Sequence, residues 1–147
     1  MDPTEQIDCP YYLISRIYLQ VTSKLKKGFA GKGVDKVKPA YLGVLLALWR
    51  EDGLPLGELA RRSGLEPSSM TGLLDRMERD GLAFRSPDKN DRRVQMIYLT
   101  DDGRNIEGPV MNVVDTVLSD VFCGISEDDF AKTQAVLKQV IENAQKD

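Results

Sequence analysis

Three observations predict a mainly α fold carrying one small β-hairpin. Apolar residues recur at three- and four-residue steps over most of the chain. Two short apolar segments flank one polar turn near residue 90. A pair of short helical segments meets at a glycine just upstream of that turn. The expected order is α-α-α-α-β-β-α-α.

Residues 11–29 form the first expected helix, with Ile14, Ile17, Tyr18, Val21 and Leu25 on one stripe and Gly28, Gly31 and Gly33 as its breakers. Pro39 fits the first turn of a second helix, whose apolar positions Leu42, Leu45, Leu46 and Trp49 precede a stop at Gly53. A third helix is expected over 56–63 before Gly64, and a fourth from Pro67 to Asp80 before Gly81. Residues 82–86 and 94–99 read as strands, the second alternating through Val94, Met96 and Tyr98. Thr100 is placed to cap a fifth helix, which Gly108-Pro109 should kink or restart. Ser126 with Asp129 resembles a capping box for a last helix carrying Phe130, Leu137, Val140 and Ile141.

A chain of 147 residues suits one domain with its own core. Its 41% hydrophobic and 29% charged residues are those of a folded soluble protein, and no apolar run approaches the ~20 residues of a membrane span. Residues 1–5 lack the basic-then-apolar pattern of a secretory leader, so a cytoplasmic location without a membrane partner is expected. With no histidine and two cysteines, one chain assembles neither a Cys/His zinc site nor a histidine-based triad. No pair of carboxylates stands out for acid–base work. Neither a cofactor nor an enzymatic activity is expected.

The net charge of −3 gives no support to nucleic-acid binding by the chain as a whole, so any such site must concentrate positive charge locally. Lys24, Lys26, Lys27, Lys32, Lys36 and Lys38 form one cluster, expected to be a solvated loop. Arg85, Lys89, Arg92 and Arg93 form another.

The glycine-marked helix pair reads as a helix-turn-helix. Ala60 is the small residue such a crossing needs and Gly64 the turn residue, while Leu59, Leu65, Met70, Leu73, Leu74 and Met77 face inward. The opposite face of the fourth helix presents Ser68, Ser69, Thr71, Gly72, Asp75, Arg76 and Arg79. Short hydroxyls near a helix N-terminus suit phosphates and base edges. Arg92 and Arg93 then fall at the hairpin tip, a wing that can present guanidinium groups to a phosphate backbone or a minor groove. A carboxylate there would repel phosphate, so Asp91 is expected to brace the turn or to pair with an arginine such as Arg76. The apolar stripe Val110, Val114, Val117 and Val121, together with the first and last helices, exceeds what this small lobe needs to cover. These faces are expected to pack across a two-fold axis.

At this point the chain resembles the multiple antibiotic resistance regulators, the MarR family, from about Tyr11 to its end. The resemblance rests on the helix-turn-helix, on Leu73-Leu74-Asp75-Arg76-Met77-Glu78-Arg79-Asp80-Gly81-Leu82, and on Asp91-Arg92-Arg93 followed by Leu99-Thr100-Asp101-Asp102-Gly103. It implies a single domain over 1–147, with dimerisation helices in 1–38 and 104–147 and a winged helix-turn-helix lobe in 39–103. It also implies a homodimer on pseudo-palindromic double-stranded DNA, more often repressing than activating, and released by a small-molecule effector. Arg93 matches the family's wing arginine and Asp91 its partner acid. Ser68, Ser69 and Thr71 match recognition-helix contacts, whereas Gly72 replaces the larger polar residue common there. Arg76, Lys89 and Arg92 complete the expected DNA-binding set.

Some members of such a family respond to thiol oxidation instead. Cys9, just before the first helix, is the candidate redox residue, although Pro10 follows it directly. Cys123, after Phe122, is expected to be inert packing, and Arg16 a solvated residue. A winged-helix module that binds protein rather than DNA is the rival reading.

Overall fold

A computed structural model describes residues 7–147. Residues 1–5, weighed above as a leader, lie outside it. Helix α1 (Pro10–Gly31) leads into a 3-10 turn at Pro39–Tyr41 and α2 (Leu42–Arg50). Strand β1 (Leu54–Pro55), α3 (Leu56–Ser63) and α4 (Pro67–Arg79) follow. Strands β2 (Ala83–Pro87) and β3 (Gln95–Leu99) precede α5 (Asp101–Asn105), α6 (Glu107–Val121) and α7 (Glu127–Ala144).

The first helix does not break at Gly28. It runs on to Gly31 because Gly28 is where α1 meets α6: a Cβ there would lie 2.6 Å from Val113 Cγ1. The glycine serves close helix packing rather than termination. The α3–α4 turn follows its local signals, with Gly64 at φ 69° closing α3 and its N–H bonded to the Arg61 carbonyl.

The sheet is antiparallel in the order β1-β3-β2, so the hairpin gains a third strand that the pattern 82–99 alone did not announce. Two residues between a helix end and a helix start carry no readable alternation. Its register pairs Leu54 with Ile97 and Ala83 with Leu99. The core face of β3 is therefore Ile97 and Leu99, not the Met96 and Tyr98 set. Both faces are apolar, and the packing partners choose between them. Tyr98 instead stacks on Phe84 on the outer face, ring centroids 5.5 Å apart.

Thr100 caps α5 as expected: its Oγ1 accepts from the Gly103 N–H (3.0 Å) and donates to the Gly81 carbonyl (2.6 Å). The helix restarts at Ile106, and Pro109 sits in the first turn of α6 where a missing N–H is harmless. Ser126 likewise caps α7 by accepting from Asp129 N–H (3.1 Å).

One core joins Leu25 and Phe29 of α1, Leu45 and Leu48 of α2, Met70, Leu74 and Met77 of α4, Ile97, and Val110 and Val113 of α6. The stripe on α6 is thus largely covered within the chain: Val110, Val113 and Val117 are buried, and Val114 and Val121 pack against them. That corrects the expectation that this stripe faces a second subunit, because α1 lies along it. The N-terminal half of α1 and all of α7 behave differently. Tyr11, Ile14, Ile17 and Tyr18 are exposed, α7 buries no residue, and Leu137, Val140 and Ile141 face outward.

Candidate nucleic-acid interface

The inner face of α4 is buried through Met70, Leu73, Leu74 and Met77, and this orients the rest of the helix. Ser68, Ser69, Thr71, Asp75, Arg76 and Arg79 are exposed on the other side. Gly72 opens onto space, since a Cβ there would meet only Arg76 Nη1 at 3.9 Å. The glycine is not required by packing. Tyr41, fully buried, donates its hydroxyl to Asp80 Oδ2 (2.5 Å) at the C-terminal cap of α4. Burial and then this carboxylate push its ionisation up to about 12.

The wing turn is tight. The Asp88 N–H donates to the Val94 carbonyl (2.8 Å), and the Val94 N–H to the Asp91 carbonyl (3.0 Å). Asp91 Oδ1 accepts from both the backbone N–H (3.1 Å) and Nε (3.0 Å) of Arg93, and Oδ2 from its Nη2 (3.2 Å). The Arg93 guanidinium beside it holds the Asp91 carboxyl below the usual range. Asp91 pairs with Arg93, the partner the family resemblance implied, and not with Arg76, because a two-residue separation in a turn brings those groups together. The Arg93 side chain remains 91% exposed. Arg92 and Lys89 are exposed beside it.

Arg85 does not belong with these exposed cations. It projects from β2 onto α4, where Glu78 Oε1 accepts from its backbone N–H (2.8 Å) and Nε (3.3 Å), and Oε2 from Nη2 (2.9 Å). Asp75 Oδ1 accepts from the same Nη2. The clamp fixes the base of the wing against α4. Sequence reading missed it. Its one available signal was a glutamate and an arginine seven residues apart across the Gly81 turn. On α3, Arg61 and Arg62 are likewise engaged by Glu58, whose ionisation falls to about 2 through those bonds. Among the described residues, no ion pair engages Arg76, Arg79, Lys89 or Arg92.

Half of the lysine cluster is helix rather than loop. Lys24, Lys26 and Lys27 lie on α1, Lys24 pairs with Asp120 of α6 (3.3 Å), and Lys36 pairs with Asp102 of α5 (3.2 Å). Cys9 is exposed at the N-cap of α1, where Pro10 removes one of the free N–H donors. Cys123 is also exposed rather than packed, since it lies in the turn that leaves α6. Arg16 is exposed, as expected.

Two helices meeting at a left-handed glycine, beside a three-stranded sheet with a basic turn, define a winged helix-turn-helix protein. A family model described as MarR family matches residues 39–94. The HTH-type transcriptional regulator SarZ of Staphylococcus haemolyticus is 33% identical over 100 residues, covering 68% of this chain and 67% of SarZ. The HTH-type transcriptional regulator TtmR of Methylorubrum extorquens is 44% identical over 70 residues, 48% of this chain; that match spans 35% of the length of TtmR. A structure of the transcriptional repressor CouR bound to a 23-mer DNA duplex shares the fold with TM-score 0.78 and 26% identity, over 99% of each chain. The chain belongs to the MarR family.

Proposed function

We propose that this protein is a sequence-specific DNA-binding transcription regulator acting as a homodimer on a pseudo-palindromic operator. The observation that carries the reading is the Arg85 clamp. It ties the wing, with its exposed Arg93, to a helix whose outer face offers hydroxyls and two arginines that no ion pair engages among the described residues. Helix α4 enters the major groove with Ser68, Ser69, Thr71 and Gly72, and Arg76 contacts its edge or a phosphate. Arg93 enters the adjacent minor groove, while Arg92 and Lys89 contact phosphates.

Dimerisation is supported by the apolar faces that the chain leaves uncovered: Tyr11, Ile14, Ile17 and Tyr18 on α1, and Leu137, Val140 and Ile141 on α7. Repression is the mode we assign, in keeping with the likeness to CouR. For release by an effector, a cavity of about 490 Å³ between α1 and α6, lined by Gly28, Lys32, Asn112, Val113 and Thr116, has the volume of a small-molecule site. Occupancy there would shift α1 against α6 and change the spacing of the two recognition helices from the ~34 Å that successive half-sites require.

Selection of bound duplexes from a random pool tests the reading. Enrichment of a palindrome is expected. No enrichment, with the folded protein present, overturns it in favour of a protein-binding module.

A further inference from the structure

We infer that Asp75 reads a cytosine, its carboxylate accepting a hydrogen bond from the base's exocyclic amine in the major groove. The inference rests on the DNA-binding reading of α4 and adds to it a specificity-determining residue. Helical geometry at about 100° per residue places Asp75 roughly 160° around α4 from buried Met77. It therefore shares the outer face with Ser68 and Thr71, about two turns and one turn before it, and with Arg79, about one turn after it. Its side chain is 59% exposed. Gly72, nearly one turn earlier, adds no side chain over it.

A carboxylate at the centre of a DNA-facing helix repels phosphate, so its presence requires a compensating role. Holding Arg85 uses only one of its two oxygens. Glu78 alone already receives the Arg85 backbone N–H, Nε and Nη2. Asp75 instead receives from Arg85: one oxygen is engaged by Nη2, which fixes the rotamer and offsets the charge, and Oδ2 accepts no hydrogen bond among the described residues. The available oxygen is an acceptor only. Of the two bases with a major-groove amine, adenine sets the N7 acceptor next to it, which repels a carboxylate, whereas cytosine presents the N4 donor alone. The group complementary to Asp75 is therefore the cytosine of a C·G pair.

The test begins with the duplex selected by the wild-type protein. Each cytosine is replaced in turn by a 2-pyrimidinone lacking the 4-amino group, and binding is measured at fixed salt for wild type, Asp75→Ala and Asp75→Asn. At one position per half-site, loss of the amine should weaken wild-type binding roughly 5- to 100-fold per half-site, beyond its effect on Asp75→Ala. Selection with Asp75→Asn should move the preference at that same position from cytosine to adenine, whose N6 and N7 an amide matches. A change of preferred base cannot arise from partial unfolding. If duplexes are enriched and both variants keep the wild-type base profile at every position, Asp75 reads no base and the inference is overturned. If no duplex is enriched by the wild type, the DNA-binding reading itself fails, and this inference with it.

Discussion

Replacing Gly103 by alanine sets two physical effects against each other, and the structure decides the sign. Gly103 lies inside α5, where alanine in place of glycine ordinarily stabilises by about 1 kcal/mol through helix propensity. Its Cα is buried against the strand end, however. A Cβ there would stand 2.1 Å from the Leu82 carbonyl oxygen, 3.1 Å from its carbon and 3.2 Å from Leu99 Cδ2. Normal contact needs about 3.5 Å, so the backbone must retreat by roughly 1 Å or more. That movement strains two bonds at the junction: Thr100 N–H to the Leu82 carbonyl (3.1 Å), and Trp49 Nε1–H to the Gly103 carbonyl (2.8 Å). Overpacking costs about 2 kcal/mol and each weakened bond about 1 kcal/mol. Less the propensity gain, Gly103→Ala should destabilise by about 3 kcal/mol. Urea unfolding followed by the single tryptophan, Trp49, at one protein concentration measures it. Gly57→Ala is the control, because it lies in α3 with nothing within 4 Å of the added Cβ, and should be neutral or stabilising by about 0.5 kcal/mol. A Gly103→Ala protein as stable as the wild type would refute the packing argument.

Arg93→Ala should weaken operator binding by about 1–3 kcal/mol with the fold intact, read by fluorescence anisotropy; unchanged affinity removes Arg93 from the interface. Wild-type affinity should also fall steeply with added salt as counterions are released. Tyr41 ionises near 12 in the folded protein against about 10 unfolded, so its contribution is complete below pH 10 and is lost as pH rises through 12. Tyr41→Phe should therefore flatten the alkaline limb of the stability–pH curve by about 2 kcal/mol; parallel limbs for the two proteins would contradict this. Ile17→Glu puts a charge into the apolar face of α1 and should shift sedimentation from dimer to monomer at micromolar concentration, with α1 still helical. A wild-type protein already monomeric there would dismiss the dimer.

Much of the fold is written in local signals. Pro67 at the start of α4, Gly64 and Gly81 after α3 and α4, and the Thr100 and Ser126 caps each act within a few residues. Those elements were legible to within a residue or two. The two-residue β1 was not, since its existence depends on pairing with Ile97 and Met96, more than forty residues away. Among the candidate site residues, the Asp91–Arg93 pair lies within one turn and could be anticipated in kind. The Arg85 clamp could not, because it needs β2 to fold back onto α4 before Glu78 and Asp75 come within reach.

The sequence by itself determined the winged helix-turn-helix, its likeness to the MarR family and the basic wing, because periodicity, caps and turn residues are properties of neighbours along the chain. Only the tertiary structure decided which apolar faces are used up inside. It buries Ile97 and Leu99 rather than Met96 and Tyr98, and spends the α6 stripe on α1 through the Gly28–Val113 contact. It also removes Arg85 from the exposed cations while leaving Arg93 exposed at the tip. The physical reason is common to all three. Burial and ion pairing depend on what stands opposite a residue, and that is set by how the elements pack.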